Sequence, residues 1–231
     1  MTRADSSLVL PAGLGRCIGP LLPPGVSPLG LDARRDALVR CPPATGAPTP
    51  LLVLLHGAGG TARQALDLVG DRPVAAVLAM LAPPSRAPTW DVITGGWGPD
   101  VAFIGRALQS VAARWPVDPA RVAIAGFSDG ASYALSLGLA NGGLFGSILA
   151  FSPGFVAPAP TRGRPRVFVS HGTGDGVLPI GPCSRRIVPM LRRAGYEVRY
   201  REFDGGHTVP AHIADDALAW AFDDGPPSVR N

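Results

Sequence analysis

Six short apolar runs punctuate the chain, and segments with helical spacing lie between them. The runs are LLVLL (51–55), AAVLAML (75–81), RVAIAG (121–126), SILAFS (147–152), RVFVSHG (166–172) and VRYREF (198–203). Each is five to seven residues long and closed by turn residues, the pattern of a buried strand. DALVRCP reads as a further strand nearer the N-terminus, followed by the loop PATGAPTP. The helical segments fall at 61–69, 100–114, 129–140, 183–194 and 211–222. Strand and helix in alternation demand βαβ units and a mostly parallel central sheet flanked by helices, so the expected fold class is α/β. The 231 residues suffice for one such domain, expected over 31–231, and not for two. Residues 1–30, rich in Pro and Gly, are expected as an irregular lead-in with an edge strand near Leu8–Leu10. The proline-rich SPGFVAPAPTRGRP (152–165) is too broken for a helical cap, so no substantial cap domain is expected.

Composition removes whole classes of chemistry. All 21 basic residues are arginine, and the chain contains no lysine. A P-loop, a Schiff-base enzyme and a Ser-Lys hydrolase each need that amine, so all three are excluded. The net charge of +4 comes from scattered arginines without a basic stripe interleaved with aromatics, so no nucleic-acid partner is expected. No apolar run reaches the length of a membrane span, and Arg16 and the prolines around it break up any signal-peptide core. Cys17, Cys41 and Cys183 are odd in number and far apart, which points to a reducing, cytoplasmic setting. The four histidines form no HExxH, and His207 and His212 are off the i, i+4 spacing, so no metal is expected.

Ligands of an open parallel sheet sit beyond the carboxyl ends of its strands, so the residues following each run carry the chemistry. After RVAIAG comes GFSDG, a G-x-S-x-G between strand and helix that aims Ser128 out of a tight turn. Larger residues at Gly126 or Gly130 would collide with the neighbouring strand and helix. A hydroxyl nucleophile needs a base, and the base an orienting acid. HGTGDGVLP places Asp175 past one strand end, and DGGHTVP places His207 past the next, 47 and then 32 residues on. Of the rivals, His171 breaks the Ser, Asp, His order and is expected to brace a loop, and His212 falls within the last helix. Glu202 and Asp204 compete as the acid, but they lie on the strand and loop that carry His207 itself. The developing oxyanion needs two donors. The N–H of Asp129 follows the nucleophile, and the N–H of Ala58 lies in HGAGG, where Gly57, Gly59 and Gly60 let a backbone approach. A carboxylate at 129 would repel an anionic transition state unless turned away or paired. GAGGTA also approaches a dinucleotide fingerprint, but the chain lacks the acidic residue that pattern wants about 20 positions on.

LLVLLHGAGG, GFSDGASYALSLGL, HGTGDGVLP and GGHTVP together resemble the α/β-hydrolase superfamily, and within it the small phospholipase/carboxylesterase-like serine esterases. The resemblance spans residues 35 to 222. It implies Ser128 as nucleophile, His207 as base, Asp175 as acid, and Ala58 and Asp129 as oxyanion donors. It also implies a small-molecule ester as substrate, an acyl-enzyme intermediate, and no metal or organic cofactor. Thioesters are a close variant. An acyltransferase with the same triad and a catalytically silent binding protein stand as alternatives. Without a cap the site is expected to be shallow and open, suited to short acyl groups or to an ester presented on something larger. Trp97, in TWDVITGGWGPD, is either a wall of the acyl pocket or an aromatic packed on its own scaffold.

Overall fold

The computed structural model describes residues 6–8, 17–76 and 78–222. One eight-stranded sheet organises them in the order β1-β2-β4-β3-β5-β6-β7-β8. Its strands are β1 (Gly25–Pro28), β2 (Leu38–Cys41), β3 (Thr49–Leu55), β4 (Ala79–Ala82), β5 (Val117–Phe127), β6 (Ser147–Phe151), β7 (Arg166–Gly172) and β8 (Val198–Phe203). From β4 through β8 every neighbouring pair is parallel, whereas β1 on β2 and β2 on β4 are antiparallel. The helices are α1 (Ala62–Asp67), α2 (Asp91–Thr94), α3 (Pro99–Arg114), α4 (Asp129–Ala140), α5 (Ser184–Arg193) and α6 (Ala211–Phe222).

The two-residue period of a strand divides the core. Leu51, Val53, Leu55, Val122 and Ile124 join Phe103, Leu135 and Ile187 on the face covered by α3, α4 and α5. Leu52, Leu54, Ala123, Ala125 and Phe168 join Leu66 and Leu218 on the face covered by α1 and α6. Strands buried on both faces need apolar residues at every position, which is why the central strands read as continuous runs. Helix α4 shows what packing overrides. Its two glycines cost about 1 kcal/mol each in helix propensity. Its three buried leucines, Leu135, Leu137 and Leu139, return about 2 kcal/mol each. A Cβ on Gly138 would come within 2.6 Å of Ile148 Cδ1, so the helix lies on β6 at a distance that only glycine allows.

Some boundaries differ from expectation. The run at 75–81 is split: Pro73–Ala76 forms a 3-10 turn and the strand is Ala79–Ala82. Proline fixes the turn, and only three residues are needed to pair Ala79, Met80 and Leu81 with β3. Strand β5 begins at Val117, ahead of the run at 121–126. The lead-in is irregular at Leu8 and from 17 to 24, but Gly25–Pro28 is a strand because β2 offers it an open edge. Residues 9 and 10, the rest of the edge strand expected near Leu8, lie outside the described residues. Residues 152–165 contain neither helix nor strand. Among the described residues no helix is long and apolar enough to cross a membrane.

Candidate active site

Ser128 lies between β5 and α4 with φ 57° and ψ −122°, a left-handed backbone that side chains rarely adopt. Such a conformation costs on the order of 1–3 kcal/mol and persists only where its surroundings over-determine it. Here its N–H donates to Phe151 O at 2.9 Å, and its carbonyl accepts from the N–H groups of Ala131 and Ser132. The glycines on either side have no alternative. A Cβ on Gly126 would sit 2.2 Å from Gly130 O, and one on Gly130 would sit 2.3 Å from Leu55 O. The collisions expected from the sequence are therefore collisions with backbone, which cannot swing aside.

Two loops deliver the remaining groups. The loop after β7 carries Asp175 and the loop after β8 carries His207, and the loops are bonded to each other. Thr173 N–H donates to Phe203 O and Gly174 N–H to Gly205 O, both at 2.9 Å. A Cβ on Gly172 would lie 2.3 Å from Gly206 O, so the crossing of these loops depends on that glycine. His207 Nδ1 lies 2.6 Å from Asp175 Oδ2, and its Nε2 lies 2.8 Å from Ser128 Oγ. The other carboxylate oxygen of Asp175 accepts from the N–H groups of Val177 and Leu178 at 2.9 and 2.8 Å. Burial works against the charge on Asp175, but the bonds from His207, Leu178 and Val177 outweigh it and hold its pKa below the ordinary carboxylate value. A carboxylate fixed at Nδ1 leaves Nε2 as the acceptor for the serine proton. The ring of Phe127 packs on the His207 imidazole with centroids 4.6 Å apart.

The HGAGG loop lies against Ser128 from the other side, where a Cβ on Gly57 would come within 3.3 Å of Ser128 Cβ. Gly59 has φ 67°, the positive value that favours glycine. Neither Ala58 N–H nor Asp129 N–H is used by another protein group among the described residues. The segment after β4 holds both donors in place. Pro88 O accepts from Gly59 N–H at 2.6 Å, and Trp90 Nε1–H donates to His56 O at 2.9 Å. Ser85 N–H donates to His56 Nε2 at 3.0 Å, which leaves the proton of that imidazole on Nδ1, facing Gly57 O. Thr89 Oγ1–H donates to Asp129 Oδ2 at 2.6 Å, so the carboxylate that the sequence made awkward is bonded to a hydroxyl.

Trp97 packs tilted against Tyr133 with ring centroids 5.6 Å apart, and its indole N–H reaches Pro158 O at 3.5 Å. Glu202 is in a two-bond pair with Arg185, and Asp204 and His212 are exposed. Among the described residues no group of three or more His, Cys, Asp or Glu could hold a metal ion. Thr89, Trp90 and Phe127 were not singled out by sequence. Their partners are remote along the chain or across the sheet, and nothing in their immediate neighbours signals the contact. A cavity of ≈ 280 Å³ adjoins the loop, lined by His56, Gly57, Ala58, Gly60, Gln64, Leu68 and Phe127.

Residues 102–182 match the family model described as "Putative esterase", a span that includes Ser128 and Asp175 and ends before His207. No curated protein sequence matches the chain. Among solved structures, esterase PE8 is 28% identical over 78% of this chain and 94% of its own, with a TM-score of 0.64. A carboxylesterase from Mesorhizobium loti is 21% identical over 85% of this chain and 98% of its own, with a TM-score of 0.65. A phospholipase/carboxylesterase from Dyadobacter fermentans is 21% identical over 80% and 94%, also with a TM-score of 0.65.

Proposed function

We propose that this esterase-like hydrolase of the α/β-hydrolase class cleaves carboxylic esters through an acyl-enzyme on Ser128. The observation that carries the reading is the unbroken run of short hydrogen bonds Asp175–His207–Ser128. Ser128 Oγ attacks the ester carbonyl as His207 Nε2 takes its proton, and Asp175 stabilises the imidazolium that forms. The tetrahedral oxyanion is met by the N–H groups of Ala58 and Asp129, the second reinforced by the positive end of α4. His207 returns the proton to the departing alcohol. A water deprotonated by the same nitrogen then attacks the acyl-enzyme, releasing the acid and Ser128. Thioesters would follow the same path with a thiol leaving.

Short acyl groups are the favoured substrates, because 152–165 lays no helix over the site and the adjoining cavity is small. Trp97 is assigned to the scaffold of this region rather than to the acyl wall. The test is labelling by a fluorophosphonate probe, with Ser128→Ala as the control, beside hydrolysis of p-nitrophenyl acetate through octanoate. Wild type labels and the variant does not, and turnover peaks at or below butyrate. Folded wild type that neither labels nor hydrolyses would overturn the enzymatic reading, and a peak at octanoate would overturn the shallow site.

A further inference from the structure

A second histidine stands behind the first. His171, near the end of β7, and Asp175 have fully enclosed side chains, and His171 Nε2 lies 3.2 Å from Asp175 Oδ2. That oxygen is the one that holds His207 Nδ1 at 2.6 Å. His171 Nε2 also lies 2.7 Å from Leu178 O, and its Nδ1 lies 2.7 Å from Ser184 Oγ at the start of α5. Both neighbours of Nε2 are acceptors only, so Nε2 carries the proton and Nδ1 accepts from the Ser184 hydroxyl. Leu178 completes a ring: its N–H donates to Asp175 Oδ1 and its carbonyl receives His171.

Resting on the assignment of Ser128, His207 and Asp175 above, we propose that His171 is a positioning residue for the acid. Its Nε2–H, bonded to Leu178 O, closes the 175–178 loop from behind and stands 3.2 Å from the Asp175 oxygen that holds His207, and so sets how strongly Asp175 holds the imidazolium. A neutral donor suits this place. A lysine or arginine would put a full positive charge against Asp175 and weaken its hold on His207⁺. Burial keeps His171 neutral, pushing its pKa below the ordinary value by more than Leu178 O and Asp175 restore. The titratable groups facing the pair are His207, Glu202 opposite His171 on β8, and Cys183 before α5. Without His171, Oδ2 loses the Nε2–H dipole that stands 3.2 Å from it and holds the His207 cation more tightly. The imidazolium then loses its proton at higher pH, and the geometry of attack loosens.

The test uses the full chain, with competent sites counted by fluorophosphonate titration so that misfolded protein is not scored. His171→Leu removes the donor, His171→Gln restores an N–H there, and Ser184→Ala frees the ring while leaving the imidazole in place. The expected result for His171→Leu is a fall in kcat per titrated site of about 10-fold, the scale of one lost hydrogen bond. KM stays within twofold, and the acid limb of the kcat/KM profile moves to higher pH. Ser184→Ala moves the limb in the same direction by less, and His171→Gln moves it back toward wild type. An acid limb that stays in place in both His171→Leu and Ser184→Ala, with normal kcat per titrated site, would overturn the proposal and reduce His171 to a loop brace. A wild type that does not label overturns the triad assignment itself, an outcome distinct from a labelled enzyme with an unmoved limb.

Discussion

Asp175 Oδ1 is committed to two backbone N–H groups and Oδ2 to His207, so the two ends of this carboxylate are not interchangeable. In Asp175→Asn the amide oxygen stays with Val177 and Leu178, and the NH₂ faces His207. The imidazole must then accept at Nδ1 and carry its proton on Nε2, pointing at a serine that needs an acceptor. A loss of about 10⁴-fold in kcat is expected, with KM little changed, measured on p-nitrophenyl butyrate. The role open to Asp129 likewise depends on its partner. Read alone, a charge beside an oxyanion hole argues against catalysis. Bonded to Thr89 Oγ1, it is compatible with an N–H that serves the transition state. The sequence carried the identities of Ser128, Asp175 and His207 because each follows its own strand end. It carried nothing of Thr89, whose partner is 40 residues away.

At the scale of elements, close approach between backbones is the recurring device. Strand β5, helix α4 and the end of β3 meet through Gly126 and Gly130 with no room for a methyl group. Gly126→Ala forces strand and helix apart and is expected to cost at least about 3 kcal/mol, lowering the melting temperature by roughly 6–12 °C. Helix α5 has the opposite defect. Pro189 lies in its interior on the exposed side, where it removes a hydrogen bond. Pro189→Ala is expected to stabilise the fold by about 2 kcal/mol, the helix penalty less the entropy regained by the unfolded chain, read from urea denaturation. Strand β1 and helix α2 escaped the sequence reading because GVSP and DVIT carry no run or period of their own, and each forms on a surface supplied by other elements.

For the whole molecule, stability should fall on acidification in two stages. His56 and His171 are enclosed, and burial pushes both below the ordinary imidazole value. The unfolded chain therefore binds protons that the folded one refuses, and stability drops as pH falls below about 6.5. Asp175, held below the usual carboxylate range, adds a second loss as pH falls through about 4 and lower. Asp91 runs the other way, since burial raises its pKa and its protonation favours the fold at low pH. Melting temperatures measured from pH 8 to 3 should fall in those two steps, and His171→Gln should shrink the first. The sequence by itself determined the α/β class, the parallel core and the three residues at its strand ends, because apolar runs, turn residues and chain order are local properties. Only the tertiary structure decided that β1 joins the sheet, that the run at 75–81 divides into a turn and a strand, and that Thr89 bonds Asp129. It alone placed His171 behind Asp175. The first three depend on hydrogen bonds between separate segments of the chain, and the last on how the loop after β7 folds back over the end of its own strand; no local pattern encodes the distance and direction of either.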